Sequence, residues 1–245
     1  MSKLLLIDAG NTRVKWALAD TGAAPGVWAA SGAALHAELD TLAAGWAGQD
    51  VTRVIVANVA GAAMQARLRA LLPPAARLDW FASLPVLGGL RNAYRNPAQL
   101  GCDRFAAALG ARALAPGQSL IVATCGTATT IDAIGADSVF LGGMILPGLG
   151  LMASALARNT AQLPQIAPGA RLAQGFADNT DDAIQSGCLG AQAGAIERAC
   201  ALHGGALCLL SGGAAPFIAP ALSIEHRMVD NIVLVGLHAS ATFPD

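Results

Sequence analysis

Leu4-Leu5-Leu6-Ile7-Asp8-Ala9-Gly10-Asn11-Thr12-Arg13-Val14-Lys15-Trp16-Ala17-Leu18 is the stretch on which the fold turns. A short apolar run reads as a buried strand. It ends in an acid, a glycine and two small polar residues, and a second apolar run follows at once. The pattern predicts strand, tight turn, strand, with the polar groups gathered at the bend. Gly10 is open to backbone angles closed to other residues, so the main chain there can approach a ligand closely. Asn11 and Thr12 can donate hydrogen bonds to anionic oxygens. Asp8 is placed where a hydrated Mg²⁺ would sit between a carboxylate and phosphates. Gly and Asn are also ordinary turn residues, so the stretch alone leaves a plain hairpin open.

A second copy of the pattern decides between these readings. At an offset of 116, Leu120-Ile121-Val122-Ala123-Thr124-Cys125-Gly126-Thr127-Ala128-Thr129-Thr130-Ile131-Asp132 repeats it. An apolar run enters a Gly/Thr bend and an apolar pair leaves it. Two such hairpins, one per half of the chain, resemble the phosphate-binding hairpins of the actin-like ATPase superfamily, which holds ATP between two related lobes. The resemblance implies an α/β fold of two actin-like (ribonuclease H-like) lobes. Each would be a mixed five-stranded sheet with helices, with the ATP cleft between them, over residues 1–116 and 117–245.

Composition agrees with two well-filled cores. Of 245 residues, 54% are hydrophobic and 13% charged, a composition that does not indicate disorder. A net charge of −1 gives no electrostatic case for nucleic acid or for an anionic membrane surface. The N-terminal apolar run is too short for a secretory signal. From Ser138 to Ala157 there are 20 residues without a charge, long enough to raise a membrane helix. Four glycines and Pro147 interrupt it, so it reads as strand, turn and helix. Five cysteines without a CxxC pair suit reduced thiols in the cytoplasm. The four histidines show no metal-ligand spacing and read as surface or helix-end residues.

Along the first half, Val27 to Ser31 reads as a third strand. Leu35, Leu39, Leu42 and Trp46 give a helix over about 34–47. Arg53 to Asn58 is a buried strand, 61–72 a helix ending before Pro73-Pro74, and Arg77 to Phe81 a short strand. The four tryptophans (16, 28, 46, 80) read as core. Residues 82–99 form a long irregular piece, a length usual for functional loops. It delivers the chain to Leu100-Gly101-Cys102-Asp103-Arg104-Phe105 and a helix over about 104–114. Asp103 there can be a helix cap, or a general base beside an anion clamp. In the second half, Phe140 to Gly148 leads from strand to turn and a helix over about 149–158. Asp178, Asn179 or Thr180 caps a helix running to about 202. Leu207 to Ala214 is a strand ending in a diglycine turn. A short helix, the strand Ser223 to Val229 and a helix over about 231–241 close the chain.

Six motifs in order make the resemblance specific: Asp8 to Lys15, Gly101 to Arg104, Gly126 to Asp132, Gly142 to Gly148, Thr160 to Pro164 and Asn179 to Ile184. Together they resemble type III pantothenate kinase, the bacterial enzyme for the first step of coenzyme A synthesis, over nearly the whole chain. The family includes proteins first named as Bvg accessory factors. The resemblance implies phosphorylation of pantothenate to 4'-phosphopantothenate by ATP with Mg²⁺. It implies that Asp8, Ala9, Gly10, Asn11, Thr12, Arg13, Val14 and Lys15 form the first phosphate loop and Thr127 the second. It implies that Tyr94, Gly101, Cys102, Asp103, Arg104 and Thr180 contact pantothenate, with Asp103 the proton acceptor and Asp8 orienting Mg²⁺. It also implies a homodimer, Thr180 reaching substrate at the dimer interface, and activation by K⁺ or NH₄⁺. The family commonly has Asp where this chain has Thr124, so a weakened or displaced monovalent-cation site is expected. Cys102 replaces a more usual alanine. The alternative is a nucleotide-binding regulatory protein on the same scaffold with little kinase activity; the presence of Asp8, Asp103, Arg104 and Thr180 argues against it.

Overall fold

The computed structural model describes residues 2–159 and 174–243. The chain divides into two compact units. Unit 1 comprises Met1–Gly117, Ser138–Phe140 and Ile232–Asp245, and unit 2 Gln118–Asp137 and Leu141–Asn231.

Unit 1 is built on a five-stranded sheet. Its strands are β1 (Lys3–Ala9), β2 (Arg13–Asp20), β3 (Ala30–Leu35), β4 (Val51–Asn58) and β5 (Arg77–Trp80), in the order β3-β2-β1-β4-β5. β1 runs antiparallel to β2 and parallel to β4, so the sheet is mixed, as expected. Leu4, Leu5, Leu6 and Ile7 are all buried, which is why β1 reads as an unbroken apolar run and not as an alternation. α1 (Ala62–Leu71) turns Met64 and Leu68 into the core. β3 begins later than Val27 to Ser31, and the segment after it, His36–Gly45, is a 3₁₀ helix carrying Leu39 and Leu42 inward. Trp16 explains the local layout. It packs edge-on against Trp46 at 5.7 Å, and a Cβ on Gly32 would lie 2.9 Å from its Nε1. Trp16 and Trp46 are core; Trp28 and Trp80 are only half-buried.

The piece 82–99 is not wholly irregular. It holds β6 (Val86–Leu87) and β7 (Leu90–Asn92), which form a small antiparallel pair, and a 3₁₀ turn at Pro97–Gln99. α2 (Cys102–Leu114) follows and is buried along most of its length.

Unit 2 opens with the second hairpin, β8 (Leu120–Cys125) and β9 (Ala128–Ile134), followed by β10 (Val139–Pro147). The first two residues of β10 count with unit 1, where they pair with β7. Then come α3 (Leu149–Asn159), α4 (Thr180–Leu202), β11 (Leu207–Ser211), α5 (Ala215–Ile218) and β12 (His226–Val229). β11 lies parallel to both β8 and β12. The uncharged stretch from Ser138 is therefore strand and helix. Among the described residues no helix is long and apolar enough to cross a membrane.

The closing helix, α6 (Ile232–Ser240), departs from the expected boundary at 117. It belongs to unit 1, buried along its whole length. Glycines set the contact. A Cβ on Gly110 of α2 would lie 2.5 Å from the Ile232 carbonyl oxygen, and one on Gly236 would strike the carbonyl of Ala106. Two helix backbones meet there with no side chain between them.

Candidate active site

In unit 1 the register of β1 on β2 sets Asp8 opposite Lys15 and Ala9 opposite Val14. Gly10 to Arg13 are left as the connection, closed by the Gly10 N–H donating to the Arg13 carbonyl at 3.1 Å. Asn11, Thr12 and Arg13 are exposed, Asp8 and Lys15 half-buried, Ala9 and Val14 buried. Gly10 does not use a left-handed conformation, contrary to expectation. Its contribution is a missing Cβ, which would sit 3.4 Å from the Arg13 carbonyl oxygen. The ring of His36 reaches the other side of the bend, its Nε2 donating to the Gly10 carbonyl at 2.8 Å.

Asp103 lies in the first turn of α2, with Gly101 as the residue before the helix. It is not the N-cap. Its Oδ1 accepts from the Arg104 backbone N–H at 2.8 Å. A Cβ on Gly101 would lie 2.6 Å from that Oδ1, so the glycine leaves the carboxylate its room. Burial raises the Asp103 pKa, outweighing the Arg104 N–H and guanidinium, which lower it. Cys102 connects this helix start to the end of β4, its thiol facing the Asn58 carbonyl at 3.7 Å. Burial, then the charge of Asp103, and to a smaller degree that of Asp8, push the thiol up to about 11. It is a neutral donor at physiological pH, and the carboxylates of Asp103 and Asp8 both act on it.

Arg104 is 7% exposed. Its Nη1 donates to the Tyr94 hydroxyl at 2.8 Å, and its guanidinium carbon lies 5.7 Å from the Tyr94 ring centre and 5.8 Å from that of Phe140. Both distances fall within cation–π range. Tyr94 is itself fixed, its backbone N–H donating to Asn92 Oδ1 at 3.0 Å, while Asn92 Nδ2 donates to the Pro97 carbonyl at 3.2 Å. His36, Phe140 and Asn92 were not singled out by the sequence. The Asn-x-Tyr spacing before a Pro-started turn is the one local signal that could have marked Asn92.

In unit 2 the second bend is one residue shorter. Cys125 pairs with Thr129, leaving Gly126-Thr127-Ala128, and the Gly126 N–H donates to the Ala128 carbonyl at 3.0 Å. Thr127 is exposed at its tip. The Gly148 N–H donates to the Thr127 carbonyl at 2.9 Å. A Cβ on Gly148 would strike the Gly126 carbonyl, so this backbone contact requires glycine. The diglycine turn packs on the same bend: Gly212, at φ +98, could carry no Cβ without meeting Cys125. Thr124 holds the ladder position that Asp8 holds in unit 1. It pairs with Ser211 and Thr130, where Asp8 pairs with Ala57 and Lys15. Its Oγ1 is buried without a hydrogen-bond partner among the described residues.

Thr180 is exposed as the first residue of α4. Asn179 is the cap, accepting from the Asp182 N–H at 3.0 Å and donating to Asp182 Oδ2 at 2.8 Å. Thr160 to Pro164 lies outside the described residues. Thus Cys102, Asp103, Arg104 and Tyr94 form one connected group in unit 1, with Asp8 near enough for its charge to act on the Cys102 thiol. Thr124 and Thr127 share the second hairpin, and Thr180 opens a separate element. Among the described residues no three His, Cys, Asp or Glu side chains gather as a metal cage.

A family model described as type III pantothenate kinase matches residues 4–202. A curated relative named type III pantothenate kinase from Herminiimonas arsenicoxydans is 58% identical over 250 residues, covering 97% of each chain. One of the same name from a Janthinobacterium strain is 58% identical over 253 residues, again with 97% of each covered. Among solved structures, a Campylobacter jejuni protein assigned to the Baf family of transcriptional activators superposes with a TM-score of 0.63 at 18% identity, covering 95% of this chain and 94% of the other. A Sinorhizobium meliloti protein assigned as a 2-dehydro-3-deoxygalactonokinase gives 0.60 at 17%, with 97% of both covered. These two likenesses speak to the fold alone, which this chain shares with both.

Proposed function

Because the chain belongs to the type III pantothenate kinase family, we infer that it transfers the γ-phosphoryl group of ATP to the primary hydroxyl of pantothenate. The product is 4'-phosphopantothenate, and the step is the first of coenzyme A synthesis. Phosphoryl transfer asks little covalent chemistry of a protein; it asks for positioning and for neutralised charge.

Asp103 carries the reading. A carboxylate held up by burial is a better base than an exposed one, and it takes the proton of the attacking hydroxyl. As that oxygen bonds to phosphorus, the bond to ADP breaks and ADP leaves with the electron pair. Arg104, pinned by Tyr94 and flanked by two rings, turns its guanidinium to the pantothenate carboxylate as a two-pronged clamp. Gly101, Cys102 and Thr180 complete the contacts to pantothenate. The loop Asp8 to Lys15 binds ATP phosphates at its exposed tip, Asn11 to Arg13, as does Thr127.

A single carboxylate fits Mg²⁺ that arrives with the nucleotide, since that ion keeps waters and shares one or two acids with phosphates. Asp8 would hold it there, where it neutralises phosphate charge. For the monovalent cation, K⁺ or NH₄⁺, Thr124 offers an unused lone pair and no charge, so the site is weak. The chain forms a homodimer through unit 2. Leu141 and Ile145 on β10 and Leu151 and Leu156 on α3 are 50%, 65%, 41% and 40% exposed, an apolar load that favours a covering partner. Its five free cysteines suit the cytoplasm.

The test is ADP release with and without pantothenate, with the phosphorylated product identified by mass. Release that depends on pantothenate is expected. Equal release in both would sink the assignment.

A further inference from the structure

His36 lies outside every motif shared with the family, yet it touches the first bend. The register that pairs Arg13 with Leu35 ends β3 beside the bend, so the next residue, His36, falls against Gly10. The Gly10 carbonyl can only accept, so the ring must present Nε2–H, and it does so at 2.8 Å. The residue is held from behind. The Arg67 guanidinium donates to the His36 carbonyl at 3.0 Å, and the Leu35 N–H donates to Glu38 Oε2 at 3.2 Å, fixing the turn on which the ring sits.

A bend that binds phosphate must keep its N–H groups aimed outward before the ligand arrives, because ordering a loop on binding costs affinity. Tying back the Gly10 carbonyl orients the Gly10–Asn11 peptide and hence the Asn11 N–H. We propose that His36 is a positioning residue that preorganises the Gly10–Arg13 bend for the phosphates of ATP. The proposal rests on the reading that this bend binds nucleotide.

The experiment titrates a non-hydrolysable ATP analogue with Mg²⁺ into the full-length protein by calorimetry, then measures KM and kcat. His36→Ala should weaken nucleotide binding by about 10-fold, the scale of one lost hydrogen bond in a preformed site. KM for ATP should rise in parallel, while kcat and KM for pantothenate stay within about twofold. His36→Gln carries an amide N–H at similar reach and should recover wild-type affinity to within about threefold. His36→Phe keeps a ring without the donor and should match the alanine variant, replacing it if that variant fails to fold. Wild-type nucleotide affinity in both donor-less variants overturns the proposal, as does a weakening that His36→Gln fails to repair. A wild-type protein that binds the analogue but does not phosphorylate pantothenate would overturn the functional reading and leave His36 in its role.

Discussion

Arg104 and Tyr94 are joined twice, by a 2.8 Å hydrogen bond from guanidinium to hydroxyl and by the placement of that guanidinium 5.7 Å from the ring centre. The ring fixes where the cation lies and the hydroxyl fixes how it is turned. Tyr94→Phe keeps the first and removes the second. KM for pantothenate should rise about 5-fold, the effect of one modest hydrogen bond, with KM for ATP unchanged. Arg104→Lys loses the planar fork and should raise KM for pantothenate by more than about 10-fold. Steady-state kinetics with each substrate varied in turn would check both; an equal rise in the two KM values would count against the clamp.

Asp103→Asn keeps the acceptor for the Arg104 N–H and removes the base. Turnover should drop by roughly 10²–10⁴, and the melting temperature should not fall, because a buried charge has been removed. In the wild type, kcat/KM should rise with pH as Asp103 loses its proton. Since burial raises its pKa, that limb should lie above the ordinary value of 3.8. A limb at or below it would remove Asp103 from the role.

Thr124 predicts weak preference for K⁺ over Na⁺ in activity. Thr124→Asp supplies the missing charge and should tighten K⁺ activation by at least about 10-fold, since charge count tunes hard-cation sites. Tight K⁺ activation of the wild type would sink this expectation.

Gly236→Ala forces a Cβ onto the backbone of α2, where no side chain can move aside. Urea unfolding should show a loss of roughly 3 kcal/mol, at the upper end of overpacking effects. Gly194→Ala, in α4 with nothing within 4 Å of its new Cβ, should be neutral or stabilising by about 0.5–1 kcal/mol.

His238 is 3% exposed, its Nδ1 lacks a partner among the described residues, and its ring lies 5.5 Å from that of Trp28, tilted by 34°. Burial lowers its pKa below 6.5. Between the folded and unfolded values the unfolded chain binds more protons, so this residue makes stability fall as pH drops below about 6.5, by at most about 1.4 kcal/mol per pH unit. Asp103, raised by burial, acts with the opposite sign. The measurement is therefore a comparison: His238→Phe should show a shallower loss of unfolding free energy than the wild type from pH 7 to 5.5.

The parts of the fold that were legible are those where local pattern and tertiary role agree. β1 and β8 announce themselves because four successive apolar residues are all buried, and their bends because small polar residues follow at once. β3 was misplaced because Ala-Ser-Gly-Ala-Ala-Leu has no apolar alternation; its pairing with β2 and the fit of Gly32 on Trp16 decide where it starts. β6 and β7 are too short for any period to appear. Gly110 and Gly236 stand 126 residues apart, and nothing local says that they meet. In the site, Asp103 and Arg104 were visible as a charged pair at a helix start, whereas His36 could not be found before the β2–β3 register was known.

The docking of α6 on α2 has a consequence for how the protein is made. The helix that begins with Cys102, Asp103 and Arg104 is lined by residues 232–240, which follow all of unit 2 in sequence. A ribosome has therefore translated all of unit 2 before the partner of the first half's buried helix emerges. The buried helix of the first half is thus among the last elements to gain its finished core, and a message cut short before α6 would leave it without that cover.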